Sequence, residues 1–152
     1  LVYNLRIKMT YNPSFRDSSA LSVGNSLPNN TGSTIAKLTP VRSDASGDMD
    51  TIDVSIENEA LAIMGITAEE IVNSESGRVI TSGRIKDITT TASNGDIMYI
   101  SKTGSLTNVK PSLGVGGFVS DDFVIFTGTV TKNQEDPLKK DLIVNITIIG
   151  QL

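Results

Sequence analysis

Leu142, Val144, Ile146 and Ile148 recur at every second position, with Asn145 and Thr147 between them. A period of two puts the four apolar side chains on one side of an extended backbone, which is how a strand with one buried face reads. The pattern returns along the chain. Ile52, Val54 and Ile56 alternate with Asp53, Ser55 and Glu57, and the segments 122–131 and 78–88 are rich in β-branched and aromatic residues, as strands are. Gly83, inside the second of these, marks a bulge or a close backbone approach. Asn94-Gly95 stands between residues 85–91 and 97–100 and reads as a hairpin turn; Lys102-Thr103-Gly104 reads as a second turn. One helix is signalled, a short one: Thr67 and Glu70 are spaced as a capping box, Ile66 and Ile71 as its hydrophobic staple, and Asn73, Ser74 and Gly77 would end it. The expected fold is mainly β, a small β-barrel or β-sandwich domain with one short helix and an extended N-terminal arm.

Residues 1–34 are read as that arm, or as a strand plus a long loop, and residues 35–152 as the β domain. Residues 10–34 are rich in Ser, Asn, Pro and Gly, with Tyr11, Phe15, Leu21 and Leu27 spaced among them. Two readings stay open: a flexible arm or long surface loop, or an extended segment that orders by docking its apolar residues on a neighbouring subunit. No internal repeat or sustained heptad is present, so the chain holds no coiled-coil shaft.

Composition narrows function more than fold. The 152 residues suffice for one core. They include no Cys and no His. Disulfides, thiolate zinc sites and thiol catalysis are thereby excluded, as are the commonest general base and metal ligand. Thirteen Lys and Arg against seventeen Asp and Glu give a net charge of −4, so neither nucleic acid nor an anionic membrane is expected as partner. No run of apolar residues is long enough to span a bilayer, and Leu1–Met9 do not form a signal-peptide core. The last residues, 148–152, close a strand with no linker, as expected of a natural end.

Each chemical constellation has an ordinary reading beside it. Asp44, Asp48, Asp50 and Asp53 lack the Gly and the closing Glu of an EF-hand, leaving an irregular Ca²⁺ loop or, as we read it, a solvated turn. Glu69/Glu70 and Asp121/Asp122 are paired carboxylates without the aromatic platform that a glycosidase cleft uses. Gly114-Val-Gly116-Gly117 lacks the Lys-Ser/Thr of a phosphate loop and reads as a turn before the next strand. Asn29-Asn30-Thr31 and Asn145-Ile-Thr147 match the glycosylation sequon with no secretory context. No catalytic residue, metal site or cofactor is expected.

One pattern exceeds what a lone domain needs. Phe123 and Ile125 alternate with Val124 and Phe126, and Ile97/Tyr99 with Met98/Ile100, so apolar side chains leave both faces of these strands. Such strands are covered on both sides within the fold or paired with another chain. On the second alternative the interface candidates are Tyr11, Phe15 and Leu21 as anchors, Arg16 as a polar clamp, and Phe123 with Ile125.

The sequence also resembles a known family. Gly65-Ile-Thr-Ala-Glu-Glu-Ile71, then Ser74-Glu-Ser-Gly-Arg-Val79 and Ser82-Gly-Arg-Ile85 resemble the "GI-x-x-E-x-I … G-E-x-G-x-V … x-G-x-V" rhythm of tailed-phage capsid decoration and head-fibre proteins. Asn94-Gly-Asp-Ile-Met-Tyr-Ile-Ser101, Gly104-Ser-Leu-Thr-Asn108 and Lys110-Pro-Ser112 resemble the "G-D-x-V-Y-x-S … G-x-L-T-x-x-x-P" hairpin of the same proteins, the likeness covering residues 60–150. The resemblance implies a β-rich domain on the outside of an icosahedral head, often trimeric, tying capsomers together with no active site.

The expected function is therefore a virion structural protein, a capsid decoration or cement protein made in the host cytoplasm. Its expected partners are the major capsid protein and copies of itself, as a trimer. The alternative is the base or adaptor of a head or tail fibre, which a long extension beyond Leu152 would favour. An enzyme would have to work with carboxylate, Lys or Tyr chemistry alone, and none is expected.

Overall fold

The structure, a computed structural model, describes residues 22–152. Its spine is the hairpin of β8 (Phe123–Lys132) and β9 (Lys140–Gln151). The turn between them is shaped by Asn133, whose side-chain oxygen accepts the amides of Glu135 and Asp136. Around this pair lie β1 (Val23–Pro28), β2 (Pro40–Ser43), β3 (Met49–Asp50), β4 (Ile63–Thr67), β5 (Ser76–Ile88), β6 (Ile97–Ile100) and β7 (Leu106–Thr107). All named pairs are antiparallel, in the order β3-β2-β4-β5-β9-β8-β6-β7, with β1 added on β5. The described residues are 48% strand and 4% helix, and the sheet curls into a half-barrel. Mainly β with one short helix is thus correct, and the architecture is a single curled sheet.

The alternations at residues 78–88, 122–131 and 142–148 become β5, β8 and β9, with Leu142 and Val144 buried and Asn145 and Thr147 exposed. Bulges redirect the faces. The register between β1 and β5 skips Thr81, so Ile80 and Ile85 both enter one core, with Ile66, Met98, Val130, Leu142 and Val144. A second cluster on the same face holds Ile52, Val54, Ala60, Ile100, Phe118, Phe123 and Ile125. Val79, adjacent to Ile80 and therefore on the opposite face, joins a third with Ile35, Val41, Met49 and Ile71. The bridge between Asn29 and Met49 brings the end of β1 against β3 beside this cluster. Gly83 is the close approach its position suggested: it has a φ of +127°, and a Cβ there would run into Ser22.

Three local expectations are corrected. The helix is α1 (Glu57–Leu61), not the segment after Thr67. Thr67 ends β4, and its hydroxyl donates to the Ala36 carbonyl at 2.8 Å and accepts the Thr39 amide at 2.9 Å. Those long-range partners outcompete a local cap; Ile66 and Ile71, the supposed staple, lie in different cores. Residues 52–56 are not a strand, because the Asp53 carboxylate accepts the Ser55 amide and hydroxyl and folds a turn that leads into α1. Asn94-Gly95 is a turn but not a hairpin. β5 pairs with β9 and β6 with β8, so the turn carries the chain past the strands between them.

Of residues 1–34, those from 22 onward are described, and they belong to the body. β1 pairs along β5 from Ser76 to Ser82. Asn29 is fully buried: its side-chain amide donates to the carbonyls of Ser33 and Ile71, both at 2.8 Å, and its oxygen accepts the Thr31 amide and hydroxyl. The amide of this sequon Asn is committed inside the fold.

Candidate interaction surface

Most of the acidic groups singled out in the sequence are hydrogen-bonded within the fold. Asp44 accepts the amides of Ser46 and Asp48, Asp48 accepts the Asn30 side chain, and Asp50 with Glu59 holds Arg42 at 2.8 and 3.2 Å. The acidic stretch is thus a hydrogen-bonded turn, and no group of three or more acidic residues able to hold a metal ion exists among the described residues. Glu69 accepts the Arg78 amide. Asp122 is buried, takes Lys102 Nζ at 2.6 Å and accepts the Val119 amide, while its neighbour Asp121 is exposed.

The electrostatics follow from local hydrogen bonds and one ion pair. Asp53 is held below its ordinary 3.8, first by the Ser55 hydroxyl and then by the Ser55 amide. Asp96 is lowered by the Asn108 side chain and then the Ser93 amide, and Asp87 by Lys139, which is itself raised in return. Each of these shifts favours the charged form.

Apolar surface is the feature that stands out. Residues 108–122 form a long connection between β7 and β8, anchored inward by buried Pro111 and Phe118. The Gly114 amide donates to the Phe118 carbonyl and the Val115 amide to that of Ser112, so the glycine-rich run is a tight turn, as expected, followed by strand β8 and not by a helix. This fold exposes Val109, Leu113, Val115 and Val119. Lys110 is the sole charged residue between 109 and 119, and the Lys102–Asp122 pair fixes the loop's base.

The second surface is the outer face of β6, β8 and β9. Met98 and Ile100 face the cores, so Ile97 and Tyr99 lie on the other face, where Ile97 is exposed and Tyr99 is buried. Tyr99 pairs with Phe126 and Phe126 with Thr147, and directly opposed residues share a face. The Tyr99 and Phe126 rings meet edge to face with centroids 6.3 Å apart. The register between β8 and β9 passes from Val124–Gly150 to Ile125–Ile148, which leaves Ile149 as the extra residue of a bulge, 59% exposed. Ile97 is 46% exposed. On these strands the outward positions from Ile97 to Thr147 and Ile149 carry no ionisable group except the edge-to-face Tyr99.

The sequence-derived interface residues are distributed accordingly. Phe123 and Ile125 are enclosed by Ile52, Val54, Ile100 and Phe118 of the same chain. They are covered within the chain, and of their neighbours on the other face Val124 is buried as well and Phe126 is half-buried. Tyr11, Phe15, Arg16 and Leu21 lie outside the described residues. The bulged Ile149 and the loop residues Leu113 and Val119 were missed. A glycine-rich loop with five large apolar residues was a usable signal for the loop; the bulge depends on register, which one strand's pattern does not contain.

No protein-family model, no curated protein and no solved structure matches the chain. No helix among the described residues is long and apolar enough to cross a membrane.

Proposed function

We propose that this chain is a structural component of a tailed-phage virion, a trimeric decoration or cement protein bound to the outside of the head. The observation that carries the reading is the pairing of an extended sheet with displayed apolar side chains: Ile97 and Ile149 on β6 and β9, and Val109, Leu113, Val115 and Val119 of the loop at residues 109–119. Exposed apolar groups held on ordered backbone bind protein surfaces at low entropic cost. The resemblance of residues 60–150 to decoration proteins supplies the kind of surface.

The physics of the task is compatible with such a body. A cement protein resists internal pressure by many modest contacts multiplied by copy number, and linked contacts gain strongly in avidity. A symmetric oligomer repeats its contact patches around an axis, as a shell does. A chain without Cys folds alike in a reducing cytoplasm and outside the cell. In this reading Tyr11, Phe15 and Leu21, with Arg16, add contacts from the N-terminal segment.

The test is co-sedimentation of the purified chain with expanded heads assembled without it. Saturable binding at a copy number set by the shell's symmetry supports decoration; a chain left in the supernatant at all ratios refutes it.

A further inference from the structure

Independently of the decoration reading, we infer that the chain binds a small aliphatic carboxylate in a pocket at the end of its first core. The pocket measures about 240 Å³. Ile88, Met98 and Leu142, all buried, form its floor, and Leu38 and Leu106 wall it in, packed against the same core but only partly covered. An apolar cavity of about 150 Å³ accommodates benzene, so this one has room for an alkyl chain of about six to eight carbons. The more exposed Lys37, Thr89 and Thr90 stand at the rim.

The rim selects the head group. An ammonium has three donors. That of Lys37 gives two of them to the carbonyls of Lys86 at 2.8 Å and Asp87 at 3.0 Å. Carbonyls accept these bonds without cancelling the charge, and no carboxylate among the described residues forms an ion pair with Lys37. The Asp87 carboxylate is taken by Lys139 at 2.8 Å. A second ammonium, that of Lys140, reaches the Thr90 and Ala92 carbonyls. An unmatched positive charge with a donor to spare, set over an apolar floor, recognises a carboxylate on an alkyl chain. The head group keeps its contact with water at the rim, so the desolvation cost of a buried ion does not arise.

Strained backbone shapes the same site. Leu38 has a φ of +68° and Asp87, next to Ile88, a φ of +54°, values that side chains ordinarily avoid. Two of the four non-glycine residues with positive φ among the described residues thus flank one pocket. Leu38 is fixed there by its amide, which donates to the Thr67 carbonyl at 3.0 Å, and by the Thr39 amide, which donates to the Thr67 hydroxyl at 2.9 Å. Strain of this kind persists only where its surroundings over-determine it, and it collects at ligand sites.

The probe is octanoate, titrated into the full chain and followed by the methionine methyl signals in NMR. Met98 lies on the pocket floor, whereas Met49 belongs to the third core and Met64 packs against it. Octanoate is expected to move the Met98 signal saturably and to leave those of Met49 and Met64 in place. Hexanoate, shorter by two methylenes, is expected to bind about tenfold more weakly. Octanol should bind at least about fivefold more weakly than octanoate, and octylammonium more weakly still. Lys37→Met should bring octanoate down to the level of octanol. Thr89→Glu, a change at an exposed rim position, should weaken octanoate and spare octanol, and it decides the matter even where Lys37→Met does not fold. A Met98 signal that does not move saturably overturns the inference. So do equal movement of all three methionines, octylammonium binding as tightly as octanoate, or octanoate binding that Thr89→Glu leaves unchanged.

Discussion

The Arg84 guanidinium meets the Asp141 carboxylate at 2.8 Å with Asp141 almost wholly enclosed. The same carboxylate accepts the Asp87 amide at 2.9 Å and the Asn133 side-chain amide at 2.8 Å. One side chain thus ties the irregular end of β5, the start of β9 and the β8–β9 turn together. Asp141→Ala would strand the partly buried Arg84 charge and two donors at once. It is expected to cost about 3 kcal/mol, the low end of a broken buried pair because Arg84 keeps some solvent contact. Urea denaturation of the variant against the parent reads this directly, and an unchanged midpoint would contradict it.

Gly128 lies where β8 crosses between β6 and β9, and a Cβ there would overlap the Ile143 carbonyl on β9. That obstacle is backbone, which cannot turn aside as a side chain could. Gly128→Ala is expected to destabilise by about 1–3 kcal/mol through overpacking. Gly114→Ala, where no atom lies within 4 Å of the new methyl, bears only the penalty of its φ of +77°. Melting temperatures of the two variants should fall in that order.

Truncation tests the placement of β1. Removing residues 1–34 deletes β1, takes Leu27 from the third core and removes buried Asn29. Removing residues 1–21 leaves all of these in place. The shorter truncation should keep a cooperative melt close to the parent's, while the longer one should lose several degrees or fail to fold; equal melts would contradict the placement of β1.

Stability should be flat through neutral pH, since the chain has no His. Asp53, Asp87 and Asp96 have lowered carboxyl values in the fold. The stability they supply is present above the ordinary 3.8 and is lost as pH falls through their depressed values. Lys139 is raised, so its contribution holds below 10.5 and fades above it. Asp96→Asn should flatten the acid limb, and a parent whose midpoint falls between pH 5 and 8 would contradict the assignment.

Much of the fold was legible because it rests on local alternation. β5, β8 and β9 follow from residues whose neighbours two positions away share a core, and that information sits in a single strand. What failed was decided at a distance. The Thr67 hydroxyl turned to Ala36 instead of capping Glu70, and β9 took the place beside β5 that Asn94-Gly95 seemed to reserve for β6. The surface was half legible: doubly apolar strands were visible, but which face each residue took depended on bulges at Thr81, Thr127 and Ile149. Phe123 and Ile125 turned inward for that reason, and Ile149 outward.

Scanning calorimetry of expanded heads, with and without the purified chain, tests decoration most directly. A cement protein must raise the temperature at which the shell disrupts, in proportion to occupancy and to a plateau at saturation. Heads that melt at the same temperature with the chain bound, or that never take it up, would contradict it.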